Sequence, residues 1–536
     1  MFRKVLIANR GEVARRVLRT CHRLGVATVA VYSDADHAAP HVREADEAVR
    51  LGPARAAASY LSIERVVDAA LRTGADAVHP GYGFLAENPV LAEVCEAKGL
   101  TFVGPRPETI RLMADKAAAK RHLDGAGVPV IPWASPEELD DAGAFAAGQR
   151  LGYPALVKAV AGGGGVGMRR VDRPEDLPDA LVAARAEAAA AFGDPRVMLE
   201  ALVERPRHVE VQVVGDGHGG VVHMFERECS VQRRHQKIVE ECPSPALDEP
   251  LRRRMADAAV AAARSVAYRG AGTVEMLLSD VTGDFHFLEM NTRLQVEHPV
   301  TELVTGLDLV EWQLRIAAGD GLPLSQDAIV RDGHALEVRL YAEDPARDHL
   351  PQTGRVLVVD IPDGPAIRVD AGVTTGSVVG THYDPLIGKV AVHAATRDAA
   401  IRRMAWVLRH TVLLGVTTNV DHLVDVVTHP AFGAGALTTA FLDEHLPDWH
   451  PPPTVVEVLA AAAAALLARS RGRGGARLDP ARSDPWHTLG PWRVADVGGW
   501  RLRLRDRDGV VHDLVVGGRP HHVRLEVAGG CDDVRV

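Results

Sequence analysis

The sequence has few cysteines, few aromatic residues and no long apolar run. Its five cysteines are odd in number and none belongs to a CxxC pair, which favours neither a disulfide scaffold nor a cysteine zinc site. The longest apolar stretch, 458–468, is much shorter than the roughly 20 residues that a membrane-spanning helix needs. Residues 5–8 form only a short apolar run before Glu12, so no signal peptide is predicted. These absences predict a cytoplasmic protein without a membrane segment.

The balance of charge is acidic, and lysine is scarce. A net charge of −10 argues against general binding of nucleic acid, which needs an excess of basic residues. Only seven of the 61 basic residues are lysines. If arginine is the usual surface cation here, lysine is expected where a compact, flexible ammonium group is needed. No lysine follows Lys389, so a lysine-linked prosthetic group is excluded from the sequence after it.

The length of 536 residues predicts about three or four domains, and the hydrophobic pattern divides the chain into four regions. Residues 1–114 alternate short apolar runs with amphipathic stretches, as in the βα units of a parallel sheet. Residues 115–331 have a mixed pattern. Strands are predicted there at 155–160, 208–214, 221–225, 272–278 and 285–291. Residues 332–446 are predicted to be mixed α+β, and 447–536 a linker helix with a small β module. The predicted fold class is therefore α/β.

A glycine run follows a lysine at the end of a predicted strand. Lys158 lies in the strand 155–160, and glycines occupy 162–165 and 167. Consecutive glycines let backbone N–H groups approach phosphate without interference from Cβ atoms, and the lysine can neutralise phosphate charge. The run lacks the GK[ST] ending of a P-loop, so a hinged lid over phosphates is expected. A plain flexible loop is the alternative.

Polar residues occupy every second position near residue 290. These odd-numbered residues are Glu289, Asn291, Arg293, Gln295 and Glu297. If the backbone is extended throughout 285–297, a period of two places them all on one face. Glu289 and Asn291 offer hard oxygen ligands for Mg²⁺, and Glu275, on a separate apolar strand, is a candidate third ligand. A solvated edge strand with mixed charges is the alternative.

Four motifs occur in order along the chain. They are the segment 79–88 (HPGYGFLAEN), the glycine run after Lys158, the segment 232–241 (QRRHQKIVEE) and the segment 289–302 (EMNTRLQVEHPVTE). Together they resemble biotin carboxylase, an ATP-grasp family, and the similarity extends over 1–446. The whole chain is similar to the α subunits of bacterial acyl-CoA carboxylases of the acetyl-, propionyl- or methylcrotonyl-CoA type. The resemblance implies a pre-ATP-grasp domain, an ATP-grasp domain, a C-terminal biotin carboxylase domain and a small β docking module.

The resemblance also implies roles for residues at matching positions. The residues implied to bind ATP are Lys116, Lys158, Gly163, Gly164, Gly165, Glu200, Leu202, His208, Gln232 and His235. The implied ligands of Mg²⁺ or Mn²⁺ are Glu275, Glu289 and Asn291. The implied bicarbonate site comprises Lys237, Arg293, Gln295 and the Val296 backbone. Glu297 would deprotonate bicarbonate, Arg339 would stabilise the biotin enolate, and Tyr82 would pack on the biotin ring.

The implied reaction is ATP- and bicarbonate-dependent carboxylation of biotin through carboxyphosphate. The chain has Val166 where the family often has Arg or Lys, and it has no Ala-Met-Lys-Met-like acceptor for biotin. Biotin is therefore expected on a separate carrier protein, unless the chain is incomplete. A carboxyltransferase β subunit and a homodimer are the other implied partners. Two alternatives are another ATP-grasp ligase that activates a carboxylate, and a nucleotide-binding assembly subunit without catalysis.

Overall fold

The computed structural model describes residues 1–140, 143–162, 167–234, 236–453, 458–459, 461–463, 500–505, 511–519, 522–527 and 530–534. The chain divides into two compact units, Met1–Trp449 and His450–Val536. No helix within these described ranges is long and apolar enough to cross a membrane. Most of the predicted linker helix lies outside the described residues.

The N-terminal region is a parallel sheet with helices, as the apolar pattern predicts. Its strands are β1 (Lys4–Ile7), β2 (Ala27–Ser33), β3 (Glu47–Gly52), β4 (Ala77–His79) and β5 (Thr101–Phe102), in the order β3-β2-β1-β4-β5. Its helices are α1 (Gly11–Arg23), α2 (Pro40–Glu44), α3 (Ile63–Thr73), α4 (Pro89–Ala97) and α5 (Pro107–Ala114). Helix α1 buries Val13, Val17 and Cys21, which lie four residues apart on one face. Because β1 and β4 are parallel neighbours, the loops that follow them lie at one edge of the sheet.

The next region is a small antiparallel sheet with the order β6-β9-β7-β8. Its strands are β6 (Trp133–Ala134), β7 (Ala155–Ala159), β8 (Arg169–Val171) and β9 (Val197–Ala201). The helices of this region are α6 (Lys116–Gly125), α7 (Gly143–Leu151) and α8 (Leu177–Phe192). Strand β7 carries Lys158 and leads into the glycine run, as predicted.

An eight-stranded sheet forms the largest layer, in the order β14-β13-β10-β11-β12-β15-β22-β20. Its strands are β10 (Pro206–Asp216), β11 (Val221–Arg233), β12 (Gln236–Cys242), β13 (Arg269–Ser279), β14 (Phe285–Asn291), β15 (His334–Tyr341), β20 (Ile367–Ala371) and β22 (Leu386–Ala394). Every neighbouring pair is antiparallel. The β12–β15 pairing joins strands from both sides of the predicted boundary at residue 332, a boundary that stays a prediction. Strand β11 runs on to Arg233, well past the predicted end at residue 225.

Helices and short strands cover and extend this sheet. The remaining helices are α9 (Glu249–Ser265), α10 (His298–Thr305), α11 (Leu309–Ala317), α12 (Arg397–Arg409), α13 (Val420–Thr428), α14 (Pro430–Gly433) and α15 (Phe441–His445). The short strands are β16 (Glu343–Asp344), β17 (Leu350–Pro351), β18 (Gly354–Arg355), β19 (Val358–Asp360), β21 (Val378–Val379) and β23 (Val412–Leu414). In the second unit, β24 (Trp500–Arg505), β25 (Val511–Arg519), β26 (His522–Val527) and β27 (Gly530–Val534) form an antiparallel meander, which is the predicted small β module.

Candidate active site

A cavity of about 530 Å³ lies where the edge of the parallel sheet faces the eight-stranded sheet. The loops after β1 and β4 supply Asn9 and Tyr82 to its wall, and the amide of Asn9 donates hydrogen bonds to the carbonyls of residues 80 and 82. The eight-stranded sheet and the segment after β14 supply the charged part of the wall. Those side chains are His208, Lys237, Glu275, Glu289, Asn291, Arg293, Gln295, Glu297 and Arg339.

Three glutamates form a row across neighbouring strands of this wall. Glu210 lies opposite Glu275 in the β10–β13 pairing, and Glu275 lies opposite Glu289 in the β13–β14 pairing. Cross-strand partners have Cβ atoms about 4.5–5.5 Å apart, so the three side chains share one face of the sheet. Like charges directly opposite each other are destabilising, and the row is therefore a strong site for cations.

Lys237 is a cation that contacts two members of the row and Glu297 together. Its Nζ lies 2.8 Å from Glu275 Oε1 and 2.7 Å from Glu297 Oε1, and it also donates to Glu210 Oε2. Burial alone would lower the pKa of Lys237, but these carboxylates raise it well above its usual range. The ammonium group therefore stays charged in a buried setting, which matches the use expected for a scarce lysine.

Glu297 is fully buried between two cations. Its Oε1 accepts from Lys237, and its Oε2 accepts from Arg339 Nη2 at 3.0 Å. Burial would raise the pKa of Glu297, but the charges of Lys237 and Arg339 hold it well below its usual range. The carboxylate is thus ionised and can accept a proton from an acid bound in the cavity.

The three predicted metal ligands lie together on the cavity wall. Glu275 accepts hydrogen bonds from Asn291 Nδ2 at 2.8 Å and from Gln295 Nε2 at 3.0 Å. Glu289 accepts no hydrogen bond from any described residue, while burial and the nearby charge of Glu275 raise its pKa. A carboxylate that faces a second carboxylate and has no ion pair within 4 Å to any described residue fits a divalent metal ion.

The extended backbone predicted for 285–297 is wrong after Asn291. Strand β14 ends at Asn291, and Glu297 is the N-cap residue of α10, whose first turn contains Pro299. Proline favours the first turn of a helix and disfavours continued pairing in a sheet. The polar side chains still converge, because Arg293 donates to Asn291 Oδ1 at 2.7 Å and to Gln295 Oε1 at 2.9 Å.

The predicted ATP-binding residues divide into two groups. His208 lines the cavity, with its Nε2 3.0 Å from Glu275 Oε2, and Gln232 contacts His208, with its Nε2 3.0 Å from His208 Nδ1. The others surround the start of the glycine run, where Lys116 donates to the carbonyl of Gly162. The predicted residues Gly163, Gly164, Gly165 and His235, with Val166, lie outside the described residues.

A buried carboxylate holds two lysines together beside the glycine run. Glu200 pairs with Lys158 at 2.6 Å and with Lys120 at 2.5 Å. Burial would raise the pKa of Glu200, but the two ammonium groups lower it to about 2. Leu202 follows directly after β9, and its N–H donates to the carbonyl of Pro154 at 3.3 Å. The contact of Glu200 and of the Leu202 backbone with the adenine of ATP stays a prediction.

Several functional candidates are missing from the sequence-based set. They are Glu87, Lys120, Glu210, Glu240 and Lys389. Glu87 accepts from Arg293 Nε at 2.8 Å, and Lys389 Nζ lies 5.9 Å from the centroid of the Tyr82 ring while donating to the carbonyl of Val296. The scarcity of lysine could have indicated Lys120 and Lys389, and the parity of strand β10 could have indicated Glu210 beside His208.

Replacing Lys237 by glutamine should leave three buried carboxylates without their shared cation. We expect the free energy of unfolding near neutral pH to fall by about 3–5 kcal/mol, as when one partner of a buried ion pair is removed. In the variant the pKa values of Glu275 and Glu297 rise in the folded state, so its stability should increase as the pH falls from 7 to 5. Urea unfolding across this pH range is the measurement.

Lys4→Gln is the matched control, because Lys4 pairs with the exposed Glu47. Surface pairs contribute only about 0–1 kcal/mol, so this variant should unfold almost as the wild type does. Equal stability losses in the two variants, or a Lys237→Gln protein that weakens as the pH falls from 7 to 5, would contradict the electrostatic account of the cluster.

Three family models match the chain in order. They are "Biotin carboxylase, N-terminal domain" over residues 1–110, "Carbamoyl-phosphate synthase L chain, ATP binding domain" over 115–325 and "Biotin carboxylase C-terminal domain" over 337–444. Together these matches confirm the predicted fold: an N-terminal parallel-sheet domain, an ATP-grasp domain and a C-terminal domain.

Two relatives and one solved structure are similar over most of the chain. Biotin carboxylase 2 of Bacillus subtilis is 49% identical over 446 residues, which is 83% of this chain and 100% of that protein. The mitochondrial methylcrotonoyl-CoA carboxylase subunit alpha of Oryza sativa subsp. japonica is 51% identical over 83% of this chain. The chain spans only 60% of the length of that rice relative.

The solved structure is the biotin carboxylase domain dimer of 2-oxoglutarate carboxylase from Hydrogenobacter thermophilus, in complex with MgADP, ADP and bicarbonate. The sequence of this chain is 43% identical to it, and the two structures superpose with a TM-score of 0.81. The match covers 84% of this chain and 100% of that chain. The matched domains, the identity to whole biotin carboxylases and the shared fold lead to one conclusion: this chain belongs to the biotin carboxylase family of ATP-dependent ligases.

Proposed function

We propose that the chain uses ATP and bicarbonate to carboxylate biotin held on a separate carrier protein. The observation that carries this proposal is the setting of Glu297, a fully buried carboxylate that Lys237 and Arg339 keep ionised at the cavity wall. Bicarbonate is a poor nucleophile until it loses its proton, and a base beside cationic groups can both attract the anion and deprotonate it.

Binding of the anion would itself raise the basicity of Glu297. In the free protein, the two cations hold the pKa of Glu297 too low for an effective base. A bicarbonate ion held by Lys237, Arg293, Gln295 and the backbone of Val296 would share that positive charge. The pKa of Glu297 would then rise towards that of the bound acid, because a nearby anion favours the protonated form of a carboxylate. The base therefore becomes competent only when its substrate is present.

The proposed nucleotide site uses the wall of glutamates and the lysines beside the glycine run. Glu275, Glu289 and Asn291 would hold Mg²⁺ or Mn²⁺, which neutralises phosphate charge when bound. Lys116 and Lys158 would contact the phosphates, and Gly163, Gly164 and Gly165 would cover them. His208 and Gln232 would contact the ribose, and His235 is a further proposed nucleotide-binding residue. The MgADP in the Hydrogenobacter thermophilus relative supports this proposal.

The proposed chemistry begins at Glu297 and ends at biotin. Glu297 takes the hydroxyl proton of bicarbonate, and the freed oxygen attacks the γ-phosphorus of ATP. The bond to the bridging oxygen of ADP breaks, and the product is carboxyphosphate. This intermediate breaks down to CO₂ and phosphate, and the phosphate takes the N1′ proton of biotin. The enolate so formed, which Arg339 would stabilise while Tyr82 packs on the ring, then attacks CO₂ through N1′ to give carboxybiotin. Positioning and charge neutralisation do most of the work in such a phosphoryl transfer.

We further propose that the chain serves an acyl-CoA carboxylase. The mitochondrial methylcrotonoyl-CoA carboxylase subunit alpha of Dictyostelium discoideum is 46% identical over 96% of this chain, so the similarity reaches into the second unit. The proposed partners are a biotin carboxyl carrier protein, a carboxyltransferase β subunit and a second copy of this chain. Cytoplasmic localisation stays a prediction.

Glu297→Gln should lower the turnover number of bicarbonate- and biotin-dependent ADP formation by about 10²–10⁴-fold, the range expected for loss of a general base. Glutamine keeps the volume but does not accept the proton. The KM for ATP should change by less than about twofold, because Glu297 is not proposed to bind the nucleotide. Steady-state kinetics with free biotin measure both quantities.

Glu47→Gln is the control for the loss of one carboxylate at an exposed ion pair, and it should keep full activity. Free biotin should stimulate ADP formation and ammonia should not, which separates the proposal from a ligase that acts on amines. Full activity of Glu297→Gln, or stimulation by ammonia alone, would refute the proposed function.

Glu289→Gln should weaken metal binding without weakening the fold. We expect the Mg²⁺ concentration for half-maximal ATP turnover to rise more than about 10-fold. Even the loss of a residue that only supports a metal ligand typically weakens metal affinity about 10–100-fold. The free energy of unfolding without metal should stay constant or increase, because the substitution removes one of two opposed carboxylates. Magnesium titrations and urea unfolding test the two effects. A destabilised variant with normal Mg²⁺ dependence would contradict the assignment.

A further inference from the structure

The guanidinium of Arg339 is held by two buried carboxylates, of which the proposed mechanism uses one. Its Nη2 donates to Glu297 Oε2 at 3.0 Å, and its Nε donates to Glu240 Oε1 at 2.6 Å. Both carboxylates are fully buried, so solvent does not screen either contact. The planar guanidinium is fixed by two anions at different nitrogens, which restricts its orientation more than a single contact would.

The two contacts respond differently during the proposed reaction. When Glu297 takes the proton from bicarbonate, it becomes neutral, and its hydrogen bond to Arg339 loses the assistance of charge. Glu240 does not take part in that proton transfer. It therefore remains the anionic partner of Arg339 at the moment when the enolate of biotin needs the guanidinium.

A third carboxyl group lies directly behind this contact. Glu337, on β15, is opposite Glu240, on β12, in the antiparallel register. Both side chains are fully buried. Neither oxygen of Glu337, nor Oε2 of Glu240, has a hydrogen-bond partner among the described residues. Two buried carboxylates at opposed positions do not both ionise readily, because each disfavours the charge of the other.

The surrounding charges show which of the two carboxyls keeps a proton. Glu240 faces Arg339, Lys237 and Glu297, whereas Glu337 faces Lys389, Glu240, Arg339 and Asp370. Lys389 is engaged elsewhere, since it donates to the carbonyl of Val296 and lies 3.6 Å from Glu12. Of the two, Glu240 has a direct ion pair, with Arg339, and no described cation lies within 4 Å of a Glu337 oxygen. The proton therefore belongs on Glu337.

The direction of the pKa shifts agrees with this assignment. Burial raises the pKa of Glu337 well above its usual range, against the lowering effect of Lys389. Burial raises the pKa of Glu240 only to about 7, because Arg339 opposes the effect.

We propose that Glu240 is a positioning residue for Arg339, and that Glu337 holds a proton so that Glu240 can remain ionised beside it. The inference rests on the proposed function, since it gives Glu240 a role through Arg339. It adds two positioning residues to the site, and it gives a role to the carboxyl group of Glu337, which has no hydrogen-bond partner among the described residues.

Glu240→Gln should therefore lower the biotin-dependent turnover number by about 10–100-fold, the size seen when a supporting contact to a functional group is removed. The KM for ATP should stay within about twofold of the wild-type value, because the nucleotide ligands are untouched. Glu241→Gln is the matched control. Glu241 is the next residue of the same strand and is equally buried, but it pairs with Arg397 and His334 instead of Arg339.

A purely structural role would make the two variants alike. We expect Glu241→Gln to lower the melting temperature while it keeps the turnover number of the folded enzyme. Glu240→Asp retains the negative charge and should recover part of the lost turnover, which also provides a test if Glu240→Gln does not fold. Unchanged turnover in Glu240→Gln, or equal losses of turnover in Glu240→Gln and Glu241→Gln, would overturn the positioning role.

Infrared difference spectroscopy of the full chain locates the proton. The difference spectrum between the wild type and Glu337→Gln at neutral pH should contain one carbonyl band of a protonated carboxyl group that the variant lacks. If the band persists in that variant, the assignment of the proton is wrong. The experiments distinguish failure of this inference from failure of the proposed function. Glu297→Gln tests the proposed function alone. An inactive Glu297→Gln with a fully active Glu240→Gln would refute only the inference.

Discussion

The structure depends on one ammonium group surrounded by three buried carboxylates. Lys237 contacts Glu210, Glu275 and Glu297, which come from β10, from β13 and from the N-cap of α10. The contact requires that these elements meet within the reach of one lysine side chain. Because buried charges are costly unless paired, the cluster constrains the register of the sheet and the position of α10 together. The base, the metal ligands and the anion site are consequences of that arrangement.

The same cluster gives the site a response to its substrate. A carboxylate flanked by Lys237 and Arg339 is ionised but weakly basic, and an incoming anion shares those cations and raises its basicity. Arg339 then requires another anionic partner, and Glu240 is in contact with it. Behind Glu240, the uncharged form of Glu337 limits the number of negative charges that the interior must hold.

Sequence patterns predicted the main elements and most of the candidate site, and their failures share a physical cause. The parallel βα region, strand β14 and the grouping of Glu275, Glu289 and Asn291 follow from local periodicity and motif order. Periodicity does not give the cross-strand register, which places Glu210 beside Glu275 and Glu337 beside Glu240. The turn after Asn291 was missed because alternation of side chains continues where the strand does not.

The central claim is that this charged cluster activates bicarbonate to attack ATP. The most direct measurement follows oxygen from bicarbonate labelled with ¹⁸O, by the mass or the phosphorus NMR shift of the inorganic phosphate formed with biotin present. The account predicts that each phosphate carries one oxygen from bicarbonate, because the attacking oxygen stays on phosphorus when carboxyphosphate breaks down. Phosphate that draws its new oxygen from water would contradict the account, since ATP would then be cleaved without passing through bicarbonate.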